Sequence, residues 1–121
     1  QVKVSFTPHL IPMNRGILST IYVNLTEGTK IKHLRENLTQ HYCDEPFIKI
    51  AAEGVVPNTK MVKGSNKCLI GVFNDRVSNR IIILTVIDNL IKGASGQALQ
   101  NMNLMFGITE TAGLMQLPLF P

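Results

Sequence analysis

Arg80-Ile81-Ile82-Ile83-Leu84-Thr85-Val86-Ile87, running directly into Asp88-Asn89-Leu90-Ile91-Lys92-Gly93-Ala94-Ser95-Gly96, is the stretch on which the fold turns. Its first half is nearly unbroken in Ile, Leu and Val, as expected of a central strand covered on both faces. Its second half is a glycine-containing turn that leads into a helix over about residues 94–106. Ala94, Ala98, Met102 and Met105 recur at +4, +8 and +11 and predict one apolar face for that helix. Gly107 then stands where a left-handed cap would end it.

Backward from this stretch, residues 68–73 read as another strand and Asn74-Asp75-Arg76 as the start of a turn. Residues 54–65, with Pro57, Asn58, Gly64 and Ser65, read as a long loop, a place where functional contacts often gather. Residues 47–51 form a short strand after Pro46. Before it, Ile31, Leu34, Leu38 and Tyr42 recur at +3, +7 and +11, the stripe of an amphipathic helix, with Thr29 as its expected N-cap. Residues 17–25 are rich in Ile, Val, Thr and Tyr and predict a strand, entered through the irregular connector Pro12-Met13-Asn14-Arg15-Gly16. In residues 2–10, Val2, Val4 and Phe6 alternate with Lys3, Ser5 and Thr7 and predict a further strand, broken up by Pro8 and Pro12. The expectation is an α+β fold: a mixed, mostly antiparallel sheet of about five strands with two helices.

Composition narrows the function classes. With 121 residues, 45% hydrophobic and 17% charged, the chain fits one packed domain or a piece of a larger one. The net charge of +4 comes from Lys and Arg spread along the chain, with Lys30 and Lys32, and Lys60 and Lys63, as the closest groupings. A nucleic-acid binder concentrates such charge on one face beside aromatics, so no nucleic-acid partner is expected. No apolar run reaches the roughly 18 residues of a membrane span. Cys43 and Cys68 have neither C-x-x-C spacing nor a neighbouring His pair, so free thiols, no metal site and a cytoplasmic setting are expected.

Candidate sites follow from residue type and place. The Gly93-Ala94-Ser95-Gly96 turn allows close approach of a backbone or cofactor, although it lacks the third glycine of a dinucleotide fingerprint. Gln97, Gln100, Asn101 and Asn103 put four amides on the short helix that follows. Arg15, at a strand entrance, can grip a carboxylate or phosphate with paired hydrogen bonds. His9 has no carboxylate or thiol beside it in sequence, and His33 and His41 lie on the first helix without ligand-type neighbours. Cys43 follows that helix and so misses the N-terminal dipole that lowers a thiol's pKa.

Two segments carry more specific information. Ser5-Phe6-Thr7-Pro8-His9-Leu10-Ile11-Pro12-Met13-Asn14-Arg15-Gly16-Ile17-Leu18 resembles the S-F-T-P-H-L-x-P-M-x-R-G-I segment of the N-acetyl-gamma-glutamyl-phosphate reductases. The run from Asp88 through Gly93, Ala94, Asn101 and Phe106 to Gly107 resembles the closing helix of the same family, and Glu45-Pro46-Phe47 fits its pattern. The resemblance implies a two-domain enzyme of arginine biosynthesis that uses NADPH to reduce N-acetylglutamyl 5-phosphate to the semialdehyde and phosphate. In such enzymes a cysteine thiolate attacks the acyl phosphate and a histidine acts as acid and base. The family's G-C-Y-P-T and H-x-P-E motifs and its Gly-rich phosphate loop are all missing from these residues. The resemblance puts the catalytic cysteine and histidine upstream of Gln1, so no catalytic residue is expected from Gln1 onward. The expectation is therefore a carboxy-terminal fragment without activity of its own.

At matched positions the resemblance implies Arg15 and His9 as substrate contacts, and Asn101, Gly93 and Ala94 as residues bordering the NADP cofactor. It implies residues 1–87 as a substrate and dimerisation portion, and residues 88–121 as a closing helix and tail that pack on the nucleotide-binding domain. The expected partners are that domain and further copies of the chain, as a dimer or tetramer. Leu104, Met105 and Phe106 are then expected to lie exposed. The rival readings are a stand-alone, non-catalytic dimerisation module and an enzyme like aspartate-semialdehyde dehydrogenase.

Overall fold

The structure is a computed structural model that describes residues 3–119. Its elements in chain order are β1 (Ile17–Asn24), α1 (Ile31–His41), β2 (Ile48–Ile50), β3 (Cys68–Asn74), β4 (Arg80–Ile87) and α2 (Gly96–Met105). A 3₁₀ turn at Thr59–Met61 and a π-helical turn at Ile91–Ser95 complete the set.

The strands form one four-stranded sheet in the order β1-β4-β3-β2. The β-branched run of β4 lies between two antiparallel neighbours. It pairs with β1 from Ile17↔Ile87 to Asn24↔Arg80 and with β3 from Cys68↔Ile87 to Asn74↔Ile81. β2 joins β3 in parallel, starting at Ile48↔Cys68. The sheet is thus mixed and mostly antiparallel, with β4 inside it as its composition predicts. Ile81 and Val86 point to opposite faces of β4 and are 1% and 0% exposed, so both faces contribute to the core. Phe47, Ala51, Val62, Ile70, Val72 and Leu114 supply most of the rest.

Four strands are present among the described residues, not about five. The strand expected over residues 2–10 is absent from its described part. Val2, with which it would begin, lies outside the described residues, as does Gln1. Lys3–Leu10 is exposed throughout, with Phe6 and Leu10 largely in solvent. Alternation alone does not make a strand. The segment needs a partner ladder, and Pro8 and Pro12 cannot donate to one.

The helices correct two further expectations. In α1 the predicted stripe is present, but Ile31, Leu34, Leu38 and Tyr42 are only half-buried. Much of its anchorage is polar: the Arg35 guanidinium donates to the carbonyls of Ala51 (2.9 Å) and Val72 (2.8 Å). Thr29 does not cap the helix, because its hydroxyl bonds that of Thr26 at 2.8 Å and Lys30 occupies the N-cap position.

In α2 the apolar face is turned the other way. Ala94, Ala98, Met102 and Met105 are all exposed, whereas Gly96, Gln100 and Asn103 are buried. This helix packs through its amides. Asn103 donates to the carbonyls of Glu110 and Ala112 and so folds the tail beneath the helix. Gly107, at φ +66°, ends the helix in the left-handed region as expected. The tail then returns to the long loop, where the Leu119 amide donates to the Lys63 carbonyl at 2.8 Å.

Candidate functional site

Asp88 leaves the end of β4 with its side chain fully buried, a costly place for a carboxylate unless donors surround it. Four donors do. Oδ1 accepts from the amides of Leu90 (2.8 Å) and Ile91 (3.1 Å), which caps the π-helical turn. Oδ2 accepts from the Gly64 amide (2.7 Å) and from Arg15 Nη1 (3.1 Å). Burial pushes the Asp88 carboxyl up, but the amides of Gly64, Leu90 and Ile91 and the Arg15 guanidinium outweigh it and hold the group below its ordinary range. The Asp88 backbone carbonyl accepts from the Gly93 amide at 2.9 Å. One residue therefore ties together the connector with Arg15, the long loop and the glycine turn.

Asn89 adds a second tie, its Oδ1 accepting from the Gly16 amide at 2.6 Å. Gly16 has φ +114°, and a Cβ there would overlap the Thr59 side chain, so the connector and the 3₁₀ turn meet only because no side chain intervenes. Asn58 caps that turn by accepting from the Lys60 amide at 3.1 Å. Between these segments lies a cavity of about 260 Å³, lined by Met13, Asn14, Arg15, Thr59, Lys60 and Lys63. Its ionisable walls are all basic. Arg15, which lines this cavity, is 33% exposed in its side chain and spends Nη1 on Asp88. A larger hollow of about 450 Å³ runs along α1 past Leu34, Asn37, Leu38, Gln40 and His41 and has no such convergence of charge.

Behind the glycine turn lies a second polar cluster. Gln100 Oε1 accepts from Asn66 Nδ2 (3.0 Å) and from Lys92 Nζ (2.7 Å), while Gln100 Nε2 donates to Glu110 at 2.6 Å. A Cβ on Gly96 would strike Asn66 Oδ1 and Ile91, so this glycine serves close packing. Lys92 lies over the Phe47 ring, 5.5 Å from its centroid. Burial lowers the Lys92 pKa against the opposing pull of Cys68, Glu110 and Glu45. Burial likewise raises the Cys68 thiol, with Lys92 acting the other way. Cys43 is exposed.

The candidate residues separate into three places. Arg15 joins the glycine turn through Asp88. Gly93, Ala94 and Asn101 are exposed on the turn and helix, with Asn101 accepting from Gln97 Nε2 at 3.0 Å. Unlike Gly96, Gly93 has only ordinary contacts around the position of a Cβ, the nearest at 3.5 Å. His9 lies in the exposed segment before the connector, apart from the others. Sequence reasoning passed over Asp88, Lys60 and Lys63. An Asp directly after a buried apolar strand was the available signal for the first, whereas the lysines gain meaning only when the loop folds against Arg15.

Comparison with known proteins places this architecture. The family model described as semialdehyde dehydrogenase, dimerisation domain, matches residues 1–89. A probable chloroplastic N-acetyl-gamma-glutamyl-phosphate reductase of Arabidopsis thaliana is 57% identical over all of this chain, which covers 30% of that protein. The N-acetyl-gamma-glutamyl-phosphate reductase of Rhodospirillum rubrum is 58% identical over 99% of the chain and 34% of its own length. That of Staphylococcus saprophyticus is 51% identical over the whole chain and 35% of its own length. The chain thus spans about a third of the length of these relatives. Among solved structures, aspartate semialdehyde dehydrogenase II from Vibrio cholerae superposes with a TM-score of 0.64 at 23% identity, over 80% of this chain and 29% of that one, a likeness of fold. The chain belongs to the semialdehyde dehydrogenase dimerisation-domain family.

Proposed function

We propose that this chain is the substrate and dimerisation portion of an N-acetyl-gamma-glutamyl-phosphate reductase, which uses NADP to form N-acetylglutamate 5-semialdehyde and phosphate in arginine biosynthesis. The observation that carries the reading is 57% identity over the entire chain to a relative of which it covers only 30%. In this reading residues 1–87 bear the substrate side and the dimer contact. Residues 88–121 form the closing helix and tail against the nucleotide-binding domain, in support of which the family match ends at residue 89. The catalytic thiolate and the acid-base histidine belong to the part of the enzyme upstream of Gln1.

Arg15 is the substrate-anion contact. Its bond to Asp88 fixes one edge of the guanidinium and leaves the other for the ligand. His9 is carried as a second contact on the strength of the motif alone. The cofactor, when bound, supplies hydride. The exposed flank formed by Gly93, Ala94 and Asn101 fits a border to the nicotinamide but not a cradle for the whole cofactor, because no Gly-rich phosphate loop is present. Gly93 is exposed and has no side chain, which allows that close approach. The Asn101 amide, once released from Gln97, can pair with a carboxamide.

The experiment is a chimera in which this chain replaces the matching third of the Rhodospirillum rubrum relative. The expected result is NADPH-dependent reduction of N-acetylglutamyl phosphate within roughly tenfold of that relative, about 1.4 kcal/mol in barrier. The chain alone is expected to give none. A folded, cofactor-binding chimera without turnover contradicts the proposal, as does enzyme-like turnover by the isolated chain.

A further inference from the structure

We infer that the cavity between the connector and the 3₁₀ turn is a binding site for a small oxyanion, with Lys60 and Lys63 completing a three-cation cradle begun by Arg15. The ligand class is an acidic metabolite presenting a carboxylate or phosphate group. The inference rests on the reading of Arg15 as an anion contact and extends it to two residues from a different segment.

Three observations carry it. Arg15, Lys60 and Lys63 converge on one cavity of about 260 Å³, large enough for an anionic head group and several carbons. Among the described residues the one carboxylate tied to this cluster, Asp88, is fully buried and engages Arg15 through Nη1 alone, so the described lining of the cavity is positively charged. The walls are also held in place. The Lys60 amide bonds Asn58, the Gly64 amide next to Lys63 bonds Asp88 at 2.7 Å, and the Lys63 carbonyl accepts from Leu119 at 2.8 Å. A backbone held beside both lysines limits where their flexible side chains reach, which lowers the ordering cost of binding. Among the described residues no ion pair holds either lysine.

The test uses the purified chain, isotope-labelled and titrated with N-acetyl-L-glutamate in one arm and inorganic phosphate in the other, against sodium chloride at matched ionic strength. Saturable amide shifts confined to Arg15, Gly16 and residues 59–64 are expected in at least one arm. The arm that saturates at lower concentration tells an amino-acid carboxylate from a phosphate group. The double variant Lys60→Gln with Lys63→Gln is expected to weaken that binding by roughly two- to thirtyfold, the range for two exposed ion pairs. Because both side chains are exposed, the β4 amide resonances should not move and so report an intact fold. Shifts no larger than those from chloride, or saturation unchanged in the double variant, overturn the inference. Loss of anion binding in a chimera that still turns over sinks this inference alone. Intact anion binding in an inactive chimera sinks the proposed reaction and leaves the cradle standing.

Discussion

Replacing Asp88 by Asn keeps the volume and removes the charge from the centre of the site. The amide oxygen can stay where Oδ1 accepts from Leu90 and Ile91, but the new NH₂ then occupies the place of Oδ2. There it faces the Gly64 amide and the Arg15 guanidinium, two donors with no acceptor. Each lost bond to a charged group is worth about 1.5–3 kcal/mol. The Gly64 amide is closed in, whereas Arg15 is 33% exposed and recovers part of its loss to water. The net cost is about 3 kcal/mol, at the low end of the 3–5 kcal/mol typical of a broken buried pair. With a urea slope of roughly 2 kcal/mol per molar, the unfolding midpoint of Asp88→Asn should fall by about 1.5 M. Arg15→Gln removes the one charged donor but leaves Asp88 three backbone donors, and should cost about 1.5–3 kcal/mol, no more than Asp88→Asn. If Asp88→Asn unfolds within about 0.5 kcal/mol of the unaltered chain, or if Arg15→Gln is the more damaging change, Asp88 is not the keystone.

Other expectations follow from the same contacts. Gly96→Ala should destabilise by about 1–3 kcal/mol, because its methyl must displace Asn66 or Ile91, whereas Gly93→Ala should unfold with the unaltered chain; thermal melts of the two separate packing from function. The folded Asp88 pKa lies below its unfolded value, so its stabilisation is complete above about pH 4 and is lost as pH falls through the folded value; acid unfolding should show this slope and Asp88→Asn should reduce it, with Asp75 still contributing. In a thiol titration at neutral pH Cys43 should react fast and Cys68 slowly, since Cys68 is half-buried and its thiol is pushed up; equal rates would contradict the structure around Lys92. Leu104, Met105 and Phe106 are 56%, 81% and 74% exposed, so light scattering should show association that rises with concentration, and a monodisperse monomer at high concentration would count against it.

The parts of the fold legible in the sequence were those set by local composition. The β-branched run of residues 80–87 gave the central strand, the 3.6-residue stripe gave α1, and Gly107 gave the end of α2. The misreadings arose where partners decide. Lys3–Leu10 alternates like a strand but pairs with no strand among the described residues, and Thr29 has a cap-forming hydroxyl that Thr26 takes instead. The face of α2 was inverted because periodicity identifies an apolar stripe without saying what lies opposite it. Opposite it lie Asn66, Lys92 and Glu110, which draw Gln100 inward and leave the methionines outside. For the site, an arginine before a strand suggested an anion grip, but the lysines of residues 54–65 stand more than 40 positions away in sequence. The bonds of Gly64 and Arg15 to Asp88 and the approach of Gly16 to Thr59 bring them to Arg15.

The decisive experiment is reconstitution in trans: the purified chain is mixed with the separately purified remainder of the Rhodospirillum rubrum relative, and NADPH oxidation with N-acetylglutamyl phosphate is followed. Neither part alone should turn over, the mixture should show turnover that saturates with added chain, and a chain carrying Arg15→Gln should raise the KM for the acyl phosphate. Stable association of the two parts with no turnover, or turnover indifferent to Arg15, would contradict the proposed function.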